Sequence, residues 1–150
     1  MEKSNDVIEL MALIRQLRLR FGSFYTRILS KEKMTIQHYT MMFLILHQGN
    51  LNMKTIATHL GVTNPAVTHL VDSLEKRGMI KRLPCETDRR VTMLTVTEEG
   101  KSFVNTFEDQ CYKLVAQPFE DFDDETRMNI KKFYKTIITN FDEELHHENK

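Results

Sequence analysis

The strongest constraint on the fold of this chain is the segment at residues 53–77, MKTIATHLGVTNPAVTHLVDSLEKR. Ala57 supplies a small side chain where two helices would cross. Four residues later, Gly61 suits a left-handed turn, which glycine adopts without strain. Val67 and Leu70 then fall where a second helix would bury apolar side chains against the first. This spacing predicts a helix-turn-helix.

A two-stranded hairpin is predicted directly after this motif. Two short runs rich in β-branched and apolar residues, 79–83 and 91–97, flank the polar connector PCETDRR. Its Asp88, Arg89 and Arg90 would lie at the tip, where arginine suits the narrow, electronegative minor groove of DNA. We expect Asp88 to support this wing by holding the Arg90 guanidinium in a forked ion pair. A helix-turn-helix followed by a basic wing predicts DNA binding.

The second helix of the motif has an apolar face and a polar face. At about 100° per residue, the apolar residues share one narrow side, and they are Val67, Leu70, Val71 and Leu74. The end that meets base edges is the N-terminal one, and the residues predicted to contact DNA there are Asn64, Pro65, Ala66, Thr68 and His69. Asn64 could read adenine, His69 a guanine acceptor and Ala66 a thymine methyl group. Phosphate contacts that position without specifying sequence are predicted for Lys76, Arg77, Lys81 and Arg82.

Residues 34–100 resemble the core of the MarR family of bacterial transcriptional regulators. The wing signature of that family is Asp-x-Arg, five residues, then an apolar residue and Thr. Here Asp88 and Arg90 are followed by VTMLT and then Val96 and Thr97, with Val in place of the commoner Leu. The string VTHLVDSLEKRGMIKR is similar to the family's recognition helix and its exit into the wing.

The resemblance bears on two details of the recognition helix. Pro65 favours the first helical position, which would make Asn64 the N-cap, whereas the family pattern places the cap at Thr63. The sequence leaves both assignments open. Many family members carry arginine where His69 stands, so we expect less base discrimination from this helix and more from the wing.

Helical periodicity dominates the rest of the chain. Apolar residues recur at spacings of three and four in residues 7–29, which predicts a long amphipathic helix. Thr35, Thr97 and Asp123 are placed as the N-caps of three further helices. Pro118 would end or bend the second of these.

These patterns predict one domain over residues 1–150, mainly α with a small β part (α+β). It would hold a winged helix-turn-helix core at about 34–100 and long helices at about 1–30 and 101–146. The apolar stripes of these terminal helices are too large for so small a core to cover, so a second subunit is the expected cover. The resemblance implies the same, since the first and last two helices of this family interlock across a two-fold axis. Such a homodimer would bind a palindromic operator in double-stranded DNA.

The charge of the chain is unevenly distributed. Its formal net charge is zero, which is unusual for a DNA-binding protein. However, the first 90 residues carry fourteen basic and eight acidic side chains, whereas residues 108–150 carry six and eleven. This asymmetry is expected if the C-terminal helices point away from the phosphates.

The sequence predicts a cytoplasmic protein without a membrane span. No apolar run approaches the length needed to cross a bilayer, and the N-terminal MEKSNDVIEL lacks the apolar segment of a signal peptide. Cys85 and Cys111 form no disulfide framework, which fits a reducing compartment. Cys85 lies beside Lys81, Arg82 and Arg89, whose charges would lower its thiol pKa. Neither cysteine stands in the first helix, where redox-sensing members of the family place theirs.

Nothing in the sequence predicts an enzyme, a cofactor or a metal site. A glycine-rich phosphate loop, a nucleophile elbow and HExxH spacing are all missing. The six histidines form no ligand cluster with the two cysteines.

The resemblance implies a repressor that is released by a small-molecule inducer. The usual sensors of this family are a small phenolic or aromatic ligand in the cleft between the dimer helices and the winged helix, an oxidisable cysteine or a metal site. An adaptable apolar pocket for such a ligand could be lined by Met11, Met41, Met42 and Met53. The alternative is a helical dimeric protein-interaction module without DNA binding, against which Arg90 beside Asp88 argues.

Overall fold

Six helices and three short strands make up the part of the chain that the computed structural model describes, namely residues 4–85, 87–88 and 90–147. In chain order they are α1 (Asn5–Lys31), α2 (Ile36–Gln48), β1 (Leu51–Asn52), α3 (Met53–Leu60), α4 (Asn64–Lys76), β2 (Ile80–Pro84), β3 (Thr92–Val96), α5 (Glu98–Glu120) and α6 (Asp124–His147). The fold is mainly α with a small β part, as predicted. None of the described helices is both long and apolar enough to cross a membrane.

The chain divides into two compact units, residues 1–107 and residues 108–150. The boundary falls inside α5. The first unit contains α1 and the winged helix, and the second contains the C-terminal half of α5 together with α6.

Two helices begin where the sequence predicts an N-cap. The Thr35 hydroxyl accepts a hydrogen bond from the His38 backbone N–H at 3.4 Å, and the Thr35 N–H donates to His38 Nδ1 at 3.1 Å. This reciprocal pair is a capping box at the start of α2. At the start of α6, Asp123 Oδ1 accepts from the Thr126 N–H at 2.7 Å, and this bond lowers the pKa of the Asp123 carboxyl.

The start of α5 is held against the turn between α4 and β2. Thr97 Oγ1 accepts from the Gly100 N–H at 3.2 Å and donates to the Gly78 carbonyl oxygen at 2.6 Å, which confirms the predicted cap. Gly100 is buried there, and a Cβ atom at this position would lie 2.2 Å from the Met79 carbonyl oxygen. At its other end α5 continues two residues past Pro118.

The three strands form one antiparallel sheet in the order β1-β3-β2. The register of the wing is set by Ile80 opposite Val96. The sequence predicted this hairpin to within one residue at each end of its strands. It did not predict β1, which places Leu51 opposite Leu94.

The hydrophobic core lies in the first unit. The largest fully buried side chains come from α1 to α5 and from both wing strands, and they are Phe107, Leu29, Met41, Met42, Ile56, Leu74, Ile80, Leu94, Val67, Val71 and Val104. The second unit instead exposes many large apolar side chains: Tyr112, Leu114, Val115, Phe122, Met128, Phe133, Tyr134, Ile138 and Phe141.

Candidate nucleic-acid interface

The N-terminus of the recognition helix, α4, is capped by Thr63. Its hydroxyl accepts a hydrogen bond from the Ala66 N–H at 3.4 Å, so Asn64 is the first helical residue and Pro65 the second. Proline is favoured in the first turn of a helix, because the backbone N–H that it lacks would have no partner within the helix there. The second helical position of Pro65 meets this preference. Before the helix, Gly61 adopts the predicted left-handed conformation with φ of +62°.

The recognition helix buries the face that the sequence assigned to the core. Val67, Val71 and Leu74 are fully buried, and Leu70 is half-buried. Most of the predicted contact residues are exposed on its other sides, namely Asn64, Pro65, Thr68, His69 and Lys76, whereas Ala66 is half-buried. The polar side chains of this helix are therefore accessible to a partner.

A groove of about 450 Å³ lies between the N-terminal ends of α3 and α4 and the loop end of the wing, where β3 begins. It brings together three residues that the sequence predicted to contact DNA, which are Asn64, Thr68 and Arg90. The rest of its lining was not predicted: Asn52, Met53, Lys54, Val91 and Thr92. This described lining contains two cations, Lys54 and Arg90, and no carboxylate. The groove would therefore attract an anion such as a DNA phosphate.

Lys54 reaches the groove because of the local structure at the start of α3. Asn52 Oδ1 accepts hydrogen bonds from the Thr55 N–H at 2.8 Å and the Thr55 hydroxyl at 3.1 Å, so it caps the helix. Lys54 thus stands in the first turn, where the positive end of the helix dipole adds to its charge. In the sequence, this N-cap is indicated by an asparagine that stands three residues before a threonine.

Asp88 supports the wing through the backbone. Its Oδ1 accepts from the Arg90 N–H at 2.9 Å, and its carbonyl oxygen accepts from the Val91 N–H at 2.9 Å. The predicted forked ion pair is wrong, because within the described residues Asp88 forms no salt bridge with Arg90. An aspartate reaches the amide two residues ahead more readily than the end of a long side chain. The Arg90 residue is exposed, and Arg89 lies outside the described residues.

Two of the four predicted phosphate contacts have partners within the protein. Arg77 donates to the carbonyl oxygens of Glu32 and Lys33 at 2.9 and 3.2 Å, which ties the end of α4 to the turn between α1 and α2. Arg82 forms salt bridges with Asp72 and Glu75 of α4. Lys76 and Lys81 remain exposed.

The Cys85 thiol lies just after β2, at the start of the loop that joins the two wing strands. Its Sγ is 3.3 Å from the Thr87 hydroxyl oxygen. This hydrogen bond and the backbone N–H groups of Asp88 and Thr87 hold the pKa of the thiol below its ordinary value. The sequence predicted a lowered pKa for this thiol, and the direction is confirmed. The cause, however, is hydrogen bonding and not the charge of the neighbouring cations. Within the described residues no three His, Cys, Asp or Glu side chains are grouped to hold a metal ion.

An aromatic cluster joins α1, α2 and the first half of α5. The closest described contact to Phe107 is that of Tyr39, with ring centroids 4.3 Å apart, and Tyr25 lies at 5.1 Å. At the other end of the cluster, His47 stacks on Phe43 at 3.9 Å. The four methionines predicted to line one pocket are dispersed: Met41 and Met42 are in the core, Met53 lines the groove and Met11 is exposed.

Comparisons with known proteins agree with this fold. Residues 34–92 match the model of the MarR family. The HTH-type transcriptional regulator SarZ of Staphylococcus haemolyticus is 28% identical over 125 residues, which are 81% of this chain and 82% of SarZ. The solved structure of a MarR family protein from Bacillus stearothermophilus superposes with a TM-score of 0.81 at 19% identity, covering 94% of this chain and 99% of that one. The S. aureus MepR–DNA complex superposes with a TM-score of 0.63 at 20% identity, covering 87% and 96%.

Proposed function

The chain belongs to the MarR family of transcriptional regulators and is a DNA-binding regulator, and we propose that it acts as a homodimeric repressor of a palindromic operator. The observation that carries the proposal is the groove in which the start of the recognition helix, the start of α3 and the loop end of the wing meet. A regulator of transcription works where the DNA is, so we expect the protein in the cytoplasm.

Each part of this surface has a distinct role in the proposal. Asn64, Ala66 and His69 enter the major groove at the N-terminal end of α4 and contact base edges. The wing places Arg90 in the adjacent minor groove, where the negative potential is focused. Lys54 contacts the phosphates that pass between them. We expect Arg89, Pro65, Thr68 and Lys76 to add contacts around this centre.

Exposed apolar side chains support the homodimer. In α1 the exposed large apolar residues are Val7, Ile8, Met11, Leu13, Leu17 and Leu19. The second unit exposes a comparable set, including Phe133 and Phe141. Apolar surface of this extent marks an interface in a soluble protein. A two-fold dimer would then present two recognition helices to two half-sites one helical turn apart.

Release by a small aromatic or phenolic ligand is the proposed control. The aromatic cluster of α1, α2 and α5 supports it, because ring faces and edges of this kind favour stacking with a planar ligand. The cluster lies in the same compact unit as the recognition helix, so a ligand there could shift the position of that helix.

The test compares three single variants on DNA. A duplex would first be selected from a random pool with the unmodified chain, and affinities for it and for a random duplex would be measured at several salt concentrations. Arg90→Ala should weaken binding to both and make the salt slope shallower by about one. Asp88→Ala should cause a smaller loss with little change in slope, since the charge stays.

His69→Ala serves as the contrasting variant, because it removes a base contact and leaves the arginine charge of the wing in place. It should cost about 1–3 kcal/mol at one base pair and little on the random duplex. If Arg90→Ala left both affinity and slope unchanged, the wing would not contact DNA. A chain that selected no duplex at all would favour a protein-interaction module.

A further inference from the structure

Arg82 joins the wing to the recognition helix. It stands in the middle of β2, opposite Leu94 of β3. Its Nη2 donates to Asp72 Oδ1 at 2.5 Å, and its Nη1 donates to Glu75 Oε2. Asp72 and Glu75 are three residues apart on α4, so one guanidinium spans the same side of two successive helical turns. The hydrogen bond that Arg82 donates to Asp72 raises the pKa of Arg82.

The strand geometry explains why Arg82 and not its neighbour makes these contacts. Side chains alternate across a strand, so Ile80 and Arg82 share a face. Ile80 is almost fully buried on it, and Arg82 meets α4. Lys81 points to the opposite face, where it lines a separate groove with Glu98 and Glu99.

The ion pairs of Arg82 are too exposed to water for stabilisation of the fold to be their main role. The side chains of Arg82, Asp72 and Glu75 are 33%, 56% and 39% exposed. Pairs this accessible to water contribute little to the free energy of folding. Their geometry is nevertheless specific, because a planar guanidinium with two carboxylate partners fixes direction as well as distance.

We propose that Arg82 is a positioning residue that holds the wing at a fixed angle to the recognition helix, so that Arg90 and the base-reading end of α4 reach adjacent grooves together. The inference rests on the DNA-binding function proposed above. It also accounts for Asp72 and Glu75, two carboxylates on a DNA-binding helix that would otherwise only repel phosphates. Arg82 itself then makes no phosphate contact.

The test on DNA uses Arg82→Gln, with Lys81→Gln as the contrast that removes one charge from the same strand at a predicted phosphate contact. Losing the angle of the wing should weaken binding to the selected duplex about tenfold, comparable to one mismatched base pair. Binding to the random duplex should change less than twofold, and the salt slope should stay as in the unmodified chain. Equal losses on both duplexes with a slope shallower by about one would make Arg82 a phosphate contact and overturn the proposal. Unchanged binding to both would overturn it as well.

A double variant of the acids separates geometry from charge. Asp72→Asn combined with Glu75→Gln removes two negative charges but also releases Arg82. Under the proposal the preference for the selected duplex should fall as it does in Arg82→Gln. If affinity for both duplexes rose together, the acids would act by repulsion alone and the proposal would be wrong.

The contacts of Arg82 with Asp72 and Glu75, here called the clamp, can be tested without DNA by amide hydrogen exchange of the free protein. Arg82→Gln should speed the exchange of backbone amides in β2 and β3, whereas Lys81→Gln should leave it unchanged. Unchanged exchange in Arg82→Gln would overturn the clamp. If the unmodified chain selected no duplex while this exchange difference was present, the clamp would stand and the proposed function would fail.

Discussion

The winged helix and the outer helices, α1 and α6, use the same kind of amphipathic sequence with opposite results. In the winged helix Ile56, Leu74 and Leu94 are fully buried. In the outer helices Leu19 and Phe141 are 65% and 66% exposed. The periodicity of apolar residues shows that a face will be covered, but it does not show whether the cover comes from the same chain.

This difference separates two kinds of stability. The winged helix buries its apolar surface within one chain, so its free energy of unfolding does not depend on protein concentration. The outer helices gain most of their burial only if a second subunit covers them, so their stability should depend on concentration. Substitutions in the winged helix should therefore change the free energy of unfolding, whereas substitutions in the outer helices should change self-association.

The largest expected effect is the loss of self-association when charge is placed on α6. Ile138→Glu combined with Phe141→Glu puts two carboxylates on the exposed apolar face of this helix. Burying them in an interface is costly, so self-association should weaken about a hundredfold or more. Sedimentation velocity over a range of concentrations would measure it.

Asn140→Glu is the matched control, because Asn140 lies on the same exposed helix but outside the apolar set. It should leave the assembly unchanged. If the double variant remained a dimer at every concentration, α6 would not form the interface, and the contrast between the two regions would need another explanation.

The second prediction compares two helical glycines, one in each region. Gly100→Ala would place Cβ 2.2 Å from the Met79 carbonyl oxygen, and backbone cannot move aside as a side chain can. The clash should outweigh the better helix propensity of alanine and lower the free energy of unfolding by about 2–3 kcal/mol. Chemical denaturation would measure the change.

Gly22→Ala provides the contrast, because a Cβ at Gly22 in α1 meets no atom of the chain within 4 Å. Alanine should stabilise this helix by about 0.5–1 kcal/mol. A loss of stability at Gly22 that grew with protein concentration would mean that a partner subunit approaches the backbone there. Unchanged stability in Gly100→Ala would contradict the close contact with Met79.

The parts of the fold that could be predicted from the sequence are those that depend on neighbouring residues. The caps at Thr35, Thr97 and Asp123 are local hydrogen bonds, and the turn at Gly61 needs one backbone conformation. The buried face of α4 follows from helical periodicity alone. Each of these was confirmed because the residues that decide it stand within one or two turns of the helix.

The parts that could not be predicted depend on residues far apart in the sequence. The strand β1 has two residues and exists because Leu51 meets Leu94 across more than forty residues. Lys54 joins Arg90 in the groove for the same reason. Asp88 is a different case. The sequence correctly predicted a contact with Arg90, but the carboxylate accepts from the Arg90 backbone N–H and not from the guanidinium. A side chain has several acceptors and donors within reach, and spacing alone does not rank them.

The smallest expected effect is the pH dependence that His38 gives to the winged helix. His38 is 8% exposed, and within the described residues its Nε2 has no hydrogen-bond partner. Burial, and then the nearby Arg77 charge, hold the pKa of His38 below its ordinary value. The neutral ring is therefore favoured in the folded state. Stability should be complete above the unfolded pKa of about 6.5 and fall as the pH drops toward the folded pKa, by at most about 1.4 kcal/mol per pH unit.

His38→Gln isolates this contribution, because glutamine is a common third residue of a capping box but does not titrate. The variant should lose the part of the pH dependence that lies below about pH 6.5, as measured by denaturation at several pH values. His47→Gln is the control, since His47 is exposed at the end of the same helix. If His38→Gln kept the full pH dependence, other ionisable groups would be its source, and the burial of His38 would not be.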